Sequence, residues 1–208
     1  MLKRIFAAAL SFFLLLTAAY GQRTDITVSL SEGFFDAFLD SVFQNFDPPK
    51  LPITETKTSG CDESVRILRE MNGVRTAVRF RDGKIYVPLA FSGNYNPPFI
   101  GCVEFAGWAE TNIDLEFNRE TQKFNGRVRV LNVNLNGTGG VGGSLIAKML
   151  QGSIDKKLNP IEIFDLDKLS FAIPIQNTGK LKMKAVAVRP DVVNGALNIS
   201  VTYQFLKS

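Results

Sequence analysis

The tetrapeptide SIDK places Ser153 and Lys156 three residues apart, which is the S-x-x-K spacing of serine enzymes that transfer acyl groups. In those enzymes the serine is the nucleophile. The partner elements S-D-N and K-T-G are missing from this sequence, and the chain is small for that fold. The spacing therefore indicates a polar helix face rather than a nucleophile.

Two further patterns are typical of ion-binding chemistry. The glycine cluster Gly137–Gly143 precedes a predicted helix, where free backbone N–H groups could bind an anion. No Lys-Ser/Thr pair follows it, as a P-loop requires, so a flexible turn explains it better. The carboxylate pairs Asp114/Glu116 and Asp165/Asp167 would share one face of a strand, but solvated strand faces explain such pairs without calcium or glycosidase chemistry.

Histidine is absent from all 208 residues. This removes the commonest general base, the usual metal ligand and any Ser-His or Cys-His nucleophile pair. The two cysteines, Cys61 and Cys102, are 41 residues apart and do not have the spacing of a zinc site. We therefore expect a non-enzymatic protein with no catalytic residues, no metal and no cofactor.

The first 21 residues have the layout of a secretory signal peptide. Lys3 and Arg4 precede an apolar run of 12 residues, Ile5–Leu16, and the small residues Ala19 and Gly21 lie around a cleavage site. The run is shorter than the roughly 20 residues needed to span a bilayer. We expect cleavage after Gly21 and a secreted or periplasmic location.

Residues 22–208 are predicted to form one soluble domain, since no linker, repeat or second long apolar stretch divides them. Their net charge of about +2 is too close to neutral to indicate nucleic-acid binding. In an exported chain, Cys61 and Cys102 most simply form a disulfide, and two buried free thiols are the alternative. Closing a loop of that length would stabilise the fold by about 4 kcal/mol.

Two amphipathic helices are predicted from apolar residues at helical spacing. The first lies in EGFFDAFLDSVFQNFDPP, with Ser29 and Glu32 at the spacing of a capping box and Pro48-Pro49 at its end. The second opens at GGSLIAKML and stops at Asn159-Pro160. Their apolar stripes are Phe34, Phe35, Phe38, Leu39, Val42, Phe43 and Phe46 in the first, and Leu145, Ile146, Met149, Leu150, Ile154 and Leu158 in the second.

Alternating apolar and polar residues predict antiparallel strands elsewhere. A hairpin turns at Asp82-Gly83, and a slip in phase from Val130 to Leu131 predicts a bulge. Segment 61–71 is ambiguous, and the Asn72-Gly73 turn after it favours a strand. The clearest strands are Val74–Phe80, Ile85–Phe91, Cys102–Ala109, Thr111–Asn118, Phe124–Asn136, Leu169–Ile175, Lys180–Val188 and Ala196–Leu206.

This order of elements predicts an α+β fold in which one long, highly curved antiparallel sheet wraps two amphipathic helices. The exported first helix, the long strands, the helix at GGSLIAKML and the closing LKMKAVAVRPDVVNGALNISVTYQF together resemble small bacterial envelope members of the TULIP-like (tubular lipid-binding) superfamily. The resemblance covers about Ile26 to Leu206. It implies a half-barrel around an apolar tube and no catalytic residues.

The resemblance also implies that the apolar stripes of the two helices face a ligand cavity. The candidate residues are Phe34, Phe35, Phe38, Val42, Phe43, Phe46, Leu145, Ile146, Met149, Leu150 and Ile154. We accordingly expect the protein to bind a lipid or other apolar small molecule in the cell envelope. The alternative is a structural or interaction protein of the envelope whose core is fully packed and holds no ligand.

Basic residues occupy the outward phase of several predicted strands. They keep a sheet soluble and blunt its edges; the alternative is a transient contact with an anionic envelope surface. The rows are Arg75/Arg79/Arg81, Arg127/Arg129 and Lys180/Lys182/Lys184.

Overall fold

The computed structural model describes residues 22–53, 60–136, 142–176 and 179–207. The predicted signal peptide, residues 1–21, and most of the glycine cluster Gly137–Gly143 lie outside these ranges. In chain order the elements are β1 (Arg23–Ser31), α1 (Glu32–Asn45), β2 (Lys50–Pro52), β3 (Ser64–Leu68), β4 (Glu70–Met71), β5 (Val74–Arg75), β6 (Arg79–Arg81), β7 (Lys84–Tyr95), β8 (Val103–Asn118), β9 (Lys123–Leu135), α2 (Gly143–Lys157), β10 (Ile161–Asp165), a 3-10 helix (Leu166–Leu169), β11 (Phe171–Ile175), β12 (Gly179–Val193) and β13 (Ala196–Lys207).

The strands form two large antiparallel sheets, curled into half-barrels, and a two-stranded ribbon. Sheet A has the order β1-β13-β12-β11, and sheet B has the order β10-β9-β8-β7-β3-β2, with β6 added to β7. The antiparallel, curled architecture agrees with the prediction. The expected single sheet is instead divided, because the chain leaves sheet B after β10 and enters sheet A at β11 through the 3-10 helix, whose Leu166 is buried.

The long hairpins of sheet B follow the sequence pattern closely. Asp82 and Gly83 both have positive φ, 53° and 69°, as a tight hairpin turn requires. The predicted bulge is confirmed: Thr111 pairs with Val130 and Glu110 with Asn132, which leaves Leu131 as the extra residue. The predicted strands Cys102–Ala109 and Thr111–Asn118 are one continuous strand, β8.

Three local predictions need correction. The predicted strand Val74–Phe80 is split into β5 and β6: the neighbours Thr76 and Ala77 are both buried, which breaks the alternation, and the Thr76 hydroxyl donates to the Leu68 carbonyl at 2.6 Å. The helix α1 is capped by Ser31, whose Oγ accepts a hydrogen bond from Phe34 N, while Ser29 belongs to β1. β1 itself, an edge strand of sheet A, was not predicted.

The core lies on one side of sheet B. One part of that side packs on α2, whose Ile146, Leu150 and Ile154 join the buried cluster that contains Val65 and Phe91. The other part packs on sheet A in two clusters. The first gathers Phe124, Leu166, Met183, Ala185, Val188, Val201 and Tyr203; the second gathers Phe80, Ile85, Val87 and Leu197.

Two polar side chains, one in α2 and one just after it, accept hydrogen bonds from backbone N–H groups of β9. Gln151 Oε1 accepts from Val130 N at 2.7 Å, and Asn159 Oδ1 accepts from Val128 N at 2.8 Å. Hydrogen bonds from Asn159 and Gln151 lower the pKa of Asp155. These contacts fix α2 against the sheet by polar as well as apolar groups.

Candidate functional site

The acidic side of α1 is held against a cluster of arginines. Glu32, Asp36 and Asp40 recur every fourth residue and form one stripe along the helix. Arg79 Nη1 lies 3.1 Å from Asp36 Oδ2, and Arg79 Nε lies 3.8 Å from Glu32 Oε2. Arg69 Nε donates to Asp40 Oδ1 at 2.6 Å. The arginines therefore bind the whole acidic stripe.

Asp40 receives a second arginine. Arg75 Nη2 donates to the same Oδ1 at 2.9 Å. The hydrogen bond from Arg69, together with the positive charges of Arg69 and Arg75, lowers the pKa of Asp40, against a smaller opposing effect of desolvation. Ionised Asp40 is thus part of what holds α1 in place.

The opposite side of α1 carries phenylalanines into solvent. Phe34, Phe38 and Phe46 are 51%, 54% and 70% exposed. None of the fourteen residues of α1, all of which the structure describes, is buried. The acidic stripe, rather than the apolar stripe, faces Arg69, Arg75 and Arg79, so these three phenylalanines lie outside the packed core. Phe34 and Phe38 lie about one turn apart on this side of α1, and we call them the phenylalanine face; Phe46 is the C-terminal cap residue that follows the helix.

The residues of α1 that lie between its acidic side and its exposed phenylalanines are half-buried. Phe35 packs edge-on against Phe80, with 5.6 Å between ring centroids. Phe43 packs on the cluster that surrounds α2, and Val42 is half-buried beside it in the helix. α1 is therefore held by ion pairs and by the packing of Phe35 and Phe43, while its phenylalanine face stays exposed.

The predicted residues of α2 have a different environment. Ile146, Leu150 and Ile154 are 5%, 0% and 1% exposed within the packed core, and Met149 is half-buried against it. Leu145, at the start of α2, is 49% exposed. The structure thus brings Phe43 and the α2 residues together in one cluster and leaves the phenylalanine face outside it. Ligand contact by any of the eleven residues stays a prediction.

A cleft of about 380 Å³ lies where sheet B meets sheet A. Its walls combine apolar side chains from both sheets with charged ones, and Asp114 in its wall is paired to Arg129 at 2.8 Å. None of the eleven predicted residues lines it. The lining residues are Gly83, Lys84, Ile85, Ile113, Asp114, Leu115, Pro190, Asp191 and Val192.

The polar residues singled out by their spacing have structural contacts. Ser153 is buried, and its hydroxyl donates to the Pro52 carbonyl at 2.5 Å, which ties α2 to β2. Asp165 Oδ1 accepts from Asp167 N at 2.9 Å and caps the 3-10 helix. Within the described ranges, no group of three or more acidic or cysteine side chains is placed to hold a metal ion.

The basic rows differ in what they contact. Arg75 and Arg79 bind α1, and the guanidinium of Arg81 lies 5.4 Å from the centre of the Tyr86 ring. In sheet A, by contrast, β12 carries three exposed lysines on one face: Lys180, Lys182 and Lys184. Sequence spacing indicated the rows, but gave no sign that Arg69, outside them, would complete the arginine cluster.

The predicted disulfide is confirmed, with Cys61 bonded to Cys102. Disulfides of this kind form in oxidising compartments. In the part of the chain that the structure describes, no helix combines the length and the apolar character needed to cross a membrane. The chain matches no protein-family model and no curated protein at significant similarity. Its curled half-barrel sheets are compatible with a tubular lipid-binding fold.

Proposed function

We propose that this is an exported, non-enzymatic protein that binds a lipid or other apolar ligand in the cell envelope. In this proposal the chain is a small relative of the tubular lipid-binding superfamily, secreted or periplasmic after cleavage at Gly21. The observation that supports it is the phenylalanine face. Large aromatic side chains exposed together on one rigid element are typical of ligand and interaction surfaces rather than of inert protein surface.

The charge distribution of α1 supports the same proposal. A free amphipathic helix would turn its phenylalanines inward, because burial of one such side chain contributes about 1.5–3 kcal/mol. Here Arg69, Arg75 and Arg79 hold the acidic stripe instead. The exposed phenylalanines are therefore maintained by specific contacts, and an apolar ligand would recover the burial that they lack.

The test begins with native mass spectrometry of the protein purified from its own host. A bound lipid is the expected result. Binding of cis-parinaric acid, a fluorescent fatty acid, is then titrated for Phe38→Ser and for the matched control Leu131→Ser. Leu131 is 51% exposed on the bulge of β9, so it loses similar apolar area away from α1.

Phe38→Ser is expected to weaken fatty-acid binding by about tenfold, with the control changed by less than about twofold. Because Phe38 is exposed, both variants should keep the thermal stability of the parent. An unliganded native protein that also fails to bind the fatty acid would overturn the proposal. Equal losses in both variants would place the binding elsewhere than on α1.

The packing of α2 favours a second candidate function, a structural or interaction protein with no ligand. Leu150 and Ile154 are buried in the core, so protein side chains occupy the space next to α2 where a ligand was predicted. This candidate predicts a protein partner that docks on a basic face. Charge reversal at Lys180, Lys182 and Lys184 would then abolish co-purification of the partner, while Phe38→Ser would leave it unchanged.

A further inference from the structure

The loop between β7 and β8 projects two large apolar side chains into solvent. Phe99 is 107% exposed, meaning that its ring is as accessible as in an extended peptide, and Ile100 is 73% exposed. The loop is a convex tip rather than a groove, since it extends beyond the last strand pair, Tyr95 with Val103. We call Phe99 and Ile100 the apolar tip.

The two ends of the loop that carries the apolar tip are held by a disulfide and by a hydrogen bond. Cys102 is joined to Cys61, and Asn96 N donates to Glu63 Oε1 at 3.0 Å. Phe99 has a φ of +70°, and Ile100 N donates back to Pro97 O at 3.3 Å. A bulky residue with positive φ is strained, and such strain persists where the surroundings hold it, characteristically at functional sites. The structure thus keeps the two side chains outward.

The chemistry of the loop suits a bilayer surface. No charged residue occurs from Tyr95 through Val103, so the whole segment can leave water without the cost of burying a charge. Tyr95 supplies the amphipathic ring that favours the interface between headgroups and acyl chains. A convex tip needs no preformed pocket in a fluid bilayer, whereas a protein partner would have to provide one.

The charged residues at the base of the loop indicate which headgroup charge the bilayer would have. Glu104 is exposed and lies two residues from Cys102, while Asp62, next to Cys61, is paired with Lys50. The Glu104 carboxylate beside the tip repels anionic headgroups and attracts the ammonium groups of zwitterionic lipids. We infer that the apolar tip inserts into the surface of a zwitterionic lipid bilayer and docks the protein there.

This inference rests on the proposed function, because it names a membrane as the place where the apolar ligand is met. The tip is distinct from the phenylalanine face. β3 pairs through Ser64 with Asn94 near the loop, and its other end, Leu68, precedes the Arg69 that holds α1. The two surfaces therefore lie toward opposite ends of β3, and variants can separate them.

The test is flotation with phosphatidylcholine vesicles. The variant is Phe99→Asn with Ile100→Thr, in which asparagine tolerates the positive φ better than phenylalanine does. The matched control is Ile26→Thr with Val28→Thr, which removes two apolar residues that are 44% and 51% exposed on the edge strand β1. The expected result is a loss of vesicle binding of about tenfold or more in the tip variant and less than about twofold in the control.

Two further measurements sharpen the result. A tryptophan introduced by Phe99→Trp should shift its emission to the blue with vesicles and be quenched by lipids brominated in the acyl chain. Vesicles containing phosphatidylglycerol should bind more weakly than pure phosphatidylcholine at low salt. Stronger binding to the anionic vesicles that is unaffected by the tip variant would assign membrane contact to the basic rows and overturn the inference.

The outcomes separate this inference from the proposed function. If the tip variant loses vesicle binding but still binds cis-parinaric acid, both proposals stand. Fatty-acid binding without any binding of the parent protein to vesicles overturns the tip alone. If the tip variant changes the oligomeric state in size-exclusion chromatography rather than vesicle binding, the tip is a self-contact, which also overturns the inference.

Discussion

Nε of Arg69 donates a hydrogen bond to Oδ1 of Asp40 across 2.6 Å and so joins the end of β3 to the middle of α1. The same guanidinium donates from Nη2 to the Asp36 carbonyl at 3.3 Å and from Nη1 to the Thr76 carbonyl. Arg69 is mostly buried, with 17% of its side chain exposed. This one residue connects the helix, the strand end and the split between β5 and β6.

Arg69→Met should lower the free energy of unfolding by about 1–3 kcal/mol, because it removes charge-assisted bonds and leaves the Thr76 carbonyl without its guanidinium partner. Urea denaturation measures the loss. Arg81→Met is the control, since Arg81 contacts the Tyr86 ring at the surface and its loss should cost less than about 0.5 kcal/mol. Equal effects of the two substitutions would contradict the role given to Arg69.

The contribution of Asp40 should depend on pH in a defined direction. The arginines lower its pKa in the folded protein, so the stabilisation is complete above the ordinary aspartate pKa of about 3.9 and is lost as the pH falls through the folded value. Asp40→Asn should therefore be less stable than the parent near pH 6. The denaturation midpoints of the two proteins should converge below pH 3.9. A gap that stays constant down to the acid limit would contradict this account.

Both helices could be predicted from the sequence because helical periodicity is a local property. Apolar residues at i, i+4 and i+8 placed α1 and α2 nearly where the structure has them. The direction in which α1 faces depends on Arg69, 29 residues from Asp40, and an apolar stripe carries no information about such a distant partner. The exposure of Phe38 follows from that pairing and could not be predicted from periodicity.

Other features were readable in the sequence to different degrees. The slip of phase at Leu131 predicted a bulge correctly, because the change of strand face is recorded in the order of residues. Ile26, Val28 and Leu30 alternate with polar residues, which is the period of the edge strand β1. The apolar tip had no periodic signal, since the exposure of Phe99 results from the turn and the disulfide beside it.

The two faces of α2 should respond differently to the same change. Leu150→Ala should cost about 2–5 kcal/mol of unfolding free energy, because it leaves a cavity in a core where Leu150 is fully buried. Leu145→Ala, five residues earlier in the same helix, removes the same atoms from a half-exposed side chain and should cost less than about 1 kcal/mol. Chemical denaturation of both variants decides the matter. A cost below 1 kcal/mol at Leu150 would mean that the core around α2 is not tightly packed.

The disulfide should add substantially to stability because it closes a long loop. Its cysteines are 41 residues apart, and the chain-entropy model gives about 4 kcal/mol for a loop of that length. Cys61→Ala with Cys102→Ala should lower the unfolding free energy by up to that amount, measured without reductant. Adding a reductant should then destabilise the parent and leave the double variant unchanged. A double variant as stable as the parent would show that the loop is equally constrained without the bond.

Gly107 and Gly152 offer a matched pair of glycine-to-alanine changes with opposite expected signs. A Cβ at Gly107, in β8, would clash with the Asn134 carbonyl oxygen, and since that atom belongs to the paired backbone of β9, the strands would have to separate. Gly107→Ala should therefore destabilise the protein by about 1–3 kcal/mol or more.

A Cβ at Gly152, inside α2, meets open space, and Gly152→Ala should stabilise by about 0.5–1 kcal/mol because alanine loses less backbone entropy in a helix. Thermal unfolding of the two variants measures the difference, and a stable Gly107→Ala protein would contradict the close approach of β8 and β9 at the bulged end of the hairpin.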